Sequence, residues 1–295
     1  LVPFGTATRV SHSTIGSGLN LGSAASFLVG DYFMVQALAT STGAVEGPWA
    51  IEFWMRVEGS QEFQRNNYLL SFGGGGGNAP AVLYDYIGSA QPRGGLDLYS
   101  PVGRSGAGPV IMDLNWHHVV IAFYGNGTAG VADRLDIYLD GVLAGANIRN
   151  TFSSALSLTR FVVGTSAPQF AGLDGFEGNL DEVAIYDMTG LTESQVTAKV
   201  SQMAAGHFAL AKGNQSYTAG VLADQPLLYW NFNEEEGNAR QLAPFTGESP
   251  RNDLVPAGGA SGRGVRRGGV GRADAGASGG VHVRRGGEPE RGDGD

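Results

Sequence analysis

Apolar side chains recur at every second position along much of this chain, and that spacing predicts strands, because successive residues of a strand point to opposite faces. The clearest run is Trp49 to Val57, where Ile51, Phe53, Met55 and Val57 share one face and Glu52, Trp54 and Arg56 take the other. His118 to Tyr124 aligns Val119, Ile121 and Phe123, and Leu135 to Leu139 aligns Leu135, Ile137 and Leu139. The polar segment Gly125-Asn126-Gly127-Thr128 joins these two as a hairpin, and Asp140-Gly141 marks a two-residue turn before the alternation resumes at Val142. Further strands are expected at Leu19 to Leu21, Tyr32 to Val35, Tyr68 to Phe72, Ala81 to Tyr86, Leu96 to Tyr99, Phe161 to Gly164 and Glu182 to Tyr186. So many short strands separated by turn residues predict an all-β chain, an antiparallel two-sheet jelly-roll sandwich.

One short C-terminal helix breaks the pattern. Thr192 stands where a helix cap would, Gln195 is placed to reach back to it, and Val196, Val200 and Met203 recur at helical spacing.

Composition agrees with strands and tight turns. The chain has 48 glycines in 295 residues, well above the usual share of about 7%. A hydrophobic content of 42% against 16% charged residues suffices for a large core. Cysteine is absent, which excludes disulfides and thiolate metal sites. No stretch reaches the roughly 18 apolar residues of a membrane helix, and the start, Leu1-Val2-Pro3-Phe4, has neither Met nor a signal pattern, as expected of an internal piece of a longer polypeptide. The net charge of −9 repels nucleic-acid phosphates, so no nucleic-acid partner is expected.

The chain divides by composition into residues 1–206, holding the predicted sandwich, a segment 207–256, and a Gly/Arg-rich tail 257–295 without Phe, Trp or Tyr. The tail cannot offset its ordering entropy by burial and is expected to be disordered; its composition is that of a shifted reading frame in GC-rich coding sequence. Leu1-Val2-Pro3 recurs as Leu254-Val255-Pro256, each copy followed by small residues and a glycine before an arginine. This predicts a repeat of roughly 250 residues, with tandem neighbouring domains and with residues 207–256 supplying a linker and the opening strand of a following copy.

Five blocks stand in order along the chain: Gly47-Pro48-Trp49-Ala50-Ile51-Glu52-Phe53-Trp54, Asn115-Trp116-His117-His118-Val119, Leu135-Asp136-Ile137-Tyr138-Leu139-Asp140-Gly141, Phe176-Glu177-Gly178-Asn179-Leu180-Asp181-Glu182-Val183-Ala184-Ile185-Tyr186 and Leu191-Thr192-Glu193-Ser194-Gln195-Val196. Together they resemble the laminin-G-like, concanavalin A-like jelly-roll domains, over about residues 15 to 205. The resemblance implies a module of extracellular or cell-surface proteins that recognises glycans or other proteins, or that spaces neighbouring domains. It also implies a calcium ion at the sandwich edge, for which Asp31 and Asp181 stand at the matching loop and late-motif positions.

Some members of that superfamily are hydrolases or lyases, so a degenerate polysaccharide-degrading enzyme is the rival reading. Laminarinase-type enzymes need carboxylates in an E-x-D-x-x-E pattern on one strand face, and this chain lacks it. Asp181 and Glu182 are adjacent and are expected to point to opposite faces; His117 and His118 likewise cannot chelate one ion together. The remaining histidines, His12, His207 and His282, look scattered, and no serine nucleophile motif occurs. No catalytic residue is expected. Glycan contact would need flat aromatic platforms with polar groups beside them, for which Tyr84, Tyr86, Tyr99, Phe170, Asp174 and Phe176 are the candidates; such aromatics are also common core residues.

Overall fold

The computed structural model describes residues 8–11, 18–19, 21–28, 31–35, 44–45, 47–58, 67–72, 81–84, 94–100, 103–104, 108–125, 133–150, 156–157, 161–166, 175–213, 215–233 and 254–257. The chain divides into a unit Leu1–Ala260 and a unit Ser261–Asp295, the second lying wholly outside the described residues.

Two antiparallel sheets dominate the first unit. With strands numbered along the chain, the first sheet runs β1 (Thr8–Ser11), β2 (Ser23–Phe27), β15 (Gly178–Asp187), β5 (Trp49–Val57), β10 (His117–Phe123), β11 (Asp133–Leu139), β12 (Val142–Asn150), with β16 (Leu228–Trp230) also on β15. The second runs β17 (Leu254–Ala257), β3 (Tyr32–Val35), β14 (Val162–Val163), β6 (Asn67–Ser71), β7 (Ala81–Tyr84), β8 (Leu96–Ser100), β9 (Gly103–Arg104). A small pair, β4 (Ala44–Val45) with β13 (Leu156–Ser157), stands apart. Leu19 and Leu21, expected as a strand, lie outside one, between β1 and β2.

Between the sheets lies one core, to which Ile51, Phe53, Met55, Val119, Ile121 and Ile137 contribute from the first sheet and Phe33, Leu70, Val82, Leu98 and Val163 from the second. Phe161 stacks on Trp230 at 5.3 Å. Each such buried side chain stabilises by about 1.5–3 kcal/mol.

The first sheet is buried on its other face too. There Ala50, Trp54, Val120, Ala184 and Tyr186 pack against two helices, α1 (Glu193–Lys212) and α2 (Tyr217–Ala223), through Val196, Val200, Met203 and Val221. α1 begins as expected: Thr192 Oγ1 accepts the Gln195 N–H and Gln195 Oε1 accepts the Thr192 N–H at 2.8 Å. At 20 residues it is longer than expected, because its apolar stripe has a whole sheet face to cover.

This layer corrects the boundary expected at residue 206, which falls inside α1. Leu228–Trp230, expected to open a following copy, instead pairs with Val183–Ile185 of this sandwich. β2 takes Gly178–Leu180 on the same edge of β15, so β2 and β16 lie end to end. Asn233 stitches them, its Oδ1 accepting the Ser23 N–H at 2.6 Å. Gly22 permits this: a Cβ there would sit 2.1 Å from that oxygen.

Candidate functional site

Among the described residues, chemistry-bearing side chains converge on the outer face of the first sheet beneath α1 and α2. β5 presents Glu52 there, opposite Val120 of β10 and Ala184 of β15. His118 and Tyr186 approach diagonally from those neighbours, and the helices add His207 and Tyr217. Glu52 Oε1 accepts from His118 Nε2 at 2.8 Å, His207 Nδ1 at 2.8 Å and the Tyr217 hydroxyl at 2.6 Å. Oε2 accepts from the Tyr186 hydroxyl at 2.7 Å. His207 Nε2 faces Asp224 at 3.0 Å, and Trp54 Nε1 donates to the Tyr217 oxygen at 3.1 Å.

The electrostatics follow from this geometry. Burial would push the Glu52 carboxyl up, but the His207 charge and the hydrogen bonds from both histidines outweigh it and hold the group far below the usual carboxylate range. Burial pulls His207 down, yet Glu52, with help from Asp224, raises it above an ordinary imidazole. The result is a buried ion pair.

A second carboxyl lies nearby. Glu182 has φ +55 at the bulge in β15 between Asp181 and Ala184, where β15 changes partner from β2 to β16. The bulge overrides the simple alternation expected for Asp181-Glu182. Glu182 Oε2 accepts from the Tyr229 hydroxyl, whereas Oε1 has no hydrogen-bond partner among the described residues. Burial foremost, then the charge of Glu52, raises its carboxyl well above normal despite the Tyr229 hydrogen bond. Two carboxyls on adjacent strands are thus pushed in opposite directions, an arrangement acid–base enzymes use. Here both are fully buried, as is His118, and protein donors occupy both oxygens of Glu52. The cluster fastens the helical layer to the sheet.

His117 and His118 do project oppositely. His117 lies between Asp140, 2.8 Å from Nδ1, and Asp113, 2.7 Å from Nε2. These hydrogen bonds raise its imidazole above normal against a lowering by burial. They clamp the loop before β10 onto the β11–β12 turn, where Met112, Leu114 and Val142 are 72%, 58% and 65% exposed. Elsewhere a depression of about 570 Å³ is lined by Arg134, Glu193, Ser194, Thr197 and Ala198. Arg134 already pairs with Asp136 and Glu193 and stacks 4.2 Å above the Tyr124 ring.

Three of the predicted site residues lie among the described ones, and the structure divides them between two places. Tyr84 and Phe176 lie inside the core, 6.5 Å apart edge to face, with the Tyr84 hydroxyl donating to Ile111 O at 2.7 Å; a ligand in solvent reaches neither. Tyr99 is half-buried on the outer face of the second sheet, beside Tyr68, Ala81 and Leu83. Tyr86, Phe170 and Asp174 lie outside the described residues.

The calcium expectation meets a poor donor set. Asp31 Oδ2 accepts the Leu28 N–H at 2.9 Å in the turn before β3, and Asp181 Oδ1 accepts the Glu182 N–H at 2.8 Å in the other sheet. Phe27, at the end of β2 that leads to this turn, pairs with Gly178, three residues and so about 10 Å along β15 from Asp181. Among the described residues no three His, Asp or Glu side chains form a group able to hold a metal. Each carboxylate is engaged by a local backbone N–H, the two in different sheets.

A family model described as the Concanavalin A-like lectin/glucanases superfamily, of laminin-G type, matches residues 30–197, more than half of the chain. The chain belongs to this superfamily. Its match ends five residues into α1, so the helical layer lies mostly beyond the matched region. Comparison with curated proteins finds no match. Among solved structures, a candidate carbohydrate binding protein of Bacteroides ovatus is similar at 15% identity and TM-score 0.49, with 79% of this chain and 57% of that one covered. This chain thus spans little over half of that protein. Domain 4 of AbnA, an extracellular arabinanase of Geobacillus stearothermophilus, solved with arabinotriose, matches at 20% identity and TM-score 0.40, covering 66% of this chain and 81% of that domain. The CBM40 of the Ruminococcus gnavus IT-sialidase matches at 12% identity and TM-score 0.38, covering 59% and 95%. No helix among the described residues is long and apolar enough to cross a membrane.

Proposed function

We propose that this chain is a non-catalytic recognition module that binds carbohydrate as part of a larger extracellular or cell-surface protein. The superfamily unites lectins with glucanases, so membership leaves binding and hydrolysis open. One observation favours binding. Of the two convergences of acids and bases described above, the one formed by Glu52, Glu182, His118 and His207 is sealed beneath α1 and α2, and the other has both carboxylates engaged on the ring nitrogens of His117, whereas glycoside hydrolysis needs two carboxyls on either side of a sugar.

On this reading Tyr99 supplies part of the platform, since it is the one described candidate aromatic that keeps some exposure, on the outer face of the second sheet rather than in the core between the sheets. A glycan array on the whole chain tests the proposal, with reducing-end release from the same polysaccharides as the parallel assay. Saturable binding without release is expected, and Tyr99→Ala should weaken it about threefold to tenfold, the worth of one stacking contact. Release of new reducing ends would establish an enzyme instead, and a blank array would favour the spacer role.

A protein-directed reading draws on a different surface. Met112, Leu114 and Val142 are exposed around the His117 clamp, and apolar groups held so rigidly suit a protein partner. Met112→Asp with Leu114→Asp should then abolish partner capture while leaving glycan binding intact.

A further inference from the structure

His117 meets a carboxylate at each ring nitrogen, Asp140 Oδ2 at Nδ1 and Asp113 Oδ1 at Nε2. A carboxylate only accepts, so both contacts are hydrogen bonds only when both nitrogens carry protons, as in the imidazolium. The neutral ring has a single N–H and can serve one of the two. The two carboxylates are held unequally. Asp140 stands in the β11–β12 turn, where its Oδ1 also accepts the His118 N–H at 2.9 Å and its own N–H donates to His118 O at 2.8 Å. Its side chain is 32% exposed, against 53% for Asp113, whose other bond is local, from the Asn115 N–H at 2.9 Å. When the ring loses one proton, the better-held Asp140 keeps its N–H, and the bare Nε2 is left facing the Asp113 oxygen, lone pair against lone pair.

The segment that Asp113 carries lies between two fixed points. Ile111 is buried, with its N–H on Gly94 O at 2.7 Å and its carbonyl accepting the Tyr84 hydroxyl; Trp116 packs against the core beneath the helices. Between them, residues 112–115 hold Met112 and Leu114 in solvent, with Arg56 Nε on the Leu114 carbonyl at 3.0 Å. The other charged groups around the clamp are engaged elsewhere: Arg56 of β5 with Glu58, Lys212 of α1 over the Phe208 ring, and His118 and His207 with Glu52. We propose that His117 is a proton-operated clasp, which when doubly protonated pins residues 112–115 to the β11–β12 turn and when neutral releases them. The direction follows from its surroundings. The Asp140 hydrogen bond foremost, with Asp113 and against burial, raises the imidazole above 6.5, so the clasp is closed at pH 6.5 and opens as the pH climbs through the folded value. Both carboxyls are held below 3.8, so acid loosens it only below that pH. The clasp underlies the surface of the protein-directed reading, needs no partner, and is independent of glycan binding.

Nitrogen-15 NMR of the histidine rings in the whole chain, followed against pH beside backbone amide exchange, tests this. The chain has five histidines, so the His117 ring is assignable by its loss in His117→Gln. Both its nitrogens should carry protons at pH 6, and the proton lost on raising the pH should be that on Nε2, leaving Nδ1–H. Over the same titration the amides of residues 112–115 should lose protection by roughly twofold to fivefold beyond ordinary base catalysis, the worth of a part-exposed ion pair. Asp113→Asn supplies an amide that accepts from an Nε2–H and donates to a bare Nε2, so it should hold the segment on both sides of the titration and erase the step. His117→Gln should erase the step as well, with the segment exchanging fast throughout. The proposal is overturned if neutral His117 keeps its proton on Nε2, if exchange at residues 112–115 ignores the titration, or if Asp113→Asn retains the step. The wild-type ring and amide signals decide it even where a variant does not fold.

Discussion

Replacing Glu52 by Gln keeps the shape of the side chain and removes its charge, so no cavity is opened. The carboxylate accepts from His118, His207, Tyr217 and Tyr186, and an amide cannot accept at its nitrogen. His207, held between Glu52 and Asp224, loses the nearer and more buried of its two negative partners. Removing one member of a buried ion pair costs about 3–5 kcal/mol. Deprotonation of His207 limits the loss, which places the expected value near the lower end, about 3 kcal/mol. At roughly 2–4 °C per kcal/mol for a domain of this size, the melting temperature should fall by about 6–12 °C. Glu182→Gln is the matched control: equally buried and one strand away, but with its carboxyl pushed upward, towards the neutral form, so its replacement should cost no more than about 1 kcal/mol. Calorimetry of the two variants beside the wild type decides the matter. Equal losses, or a larger loss at Glu182, would refute the assignment of charge to Glu52 alone.

Stability should also follow pH in a set direction. Glu52, lowered from 4.5, contributes stability that is present above pH 4.5 and fades as the pH falls towards its folded value. His207, raised from 6.5, contributes stability present below pH 6.5 and lost as the pH climbs through its folded value. The pair is therefore at full strength between about pH 4.5 and 6.5, and His207→Gln should flatten the alkaline side of a plot of urea midpoint against pH; an unaltered slope would count against the pair. Gly178→Ala should lower the melting temperature, since at φ +153 its Cβ would lie 2.3 Å from the Arg56 carbonyl oxygen; a cost of about 2 kcal/mol or more is expected, and a stable variant would show that β15 and β5 can part there. Calcium should leave the melting temperature where a chelator leaves it, because Asp31 and Asp181 each serve a local N–H in different sheets; a calcium-dependent rise would restore a cation to one of them.

The strands of the core were legible because their period is local. Ile51, Phe53, Met55, Val119, Ile121 and Ile137 all face where alternation puts them, and the Thr192 cap and the Asp140-Gly141 turn follow from side-chain chemistry within a few residues. Alternation places Glu52 on the correct face, but that this face is buried depends on helices more than 140 residues away. His207 carried a readable sign, since it continues the stripe Val196, Val200, Met203 at helical spacing; a histidine at a core position requires a partner. The bulge at Glu182 had no such sign, because it arises where β15 exchanges β2 for β16. For the same reason Leu228–Trp230 is readable as a strand while its partner is not. Tyr84 and Phe176 show the limit of composition: aromatics near glycine-rich segments can equally fill a core.

The second wall of α1 and α2 decides where this molecule can be cut. A fragment ending at residue 197, the edge of the family match, would strip cover from Trp54, Tyr186 and Val120 and strand Glu52 without His207 and Tyr217. Such a piece should self-associate through a greasy, partly charged face. A chain retaining residues through Asn233, and with it the latch to Ser23, keeps that face dry.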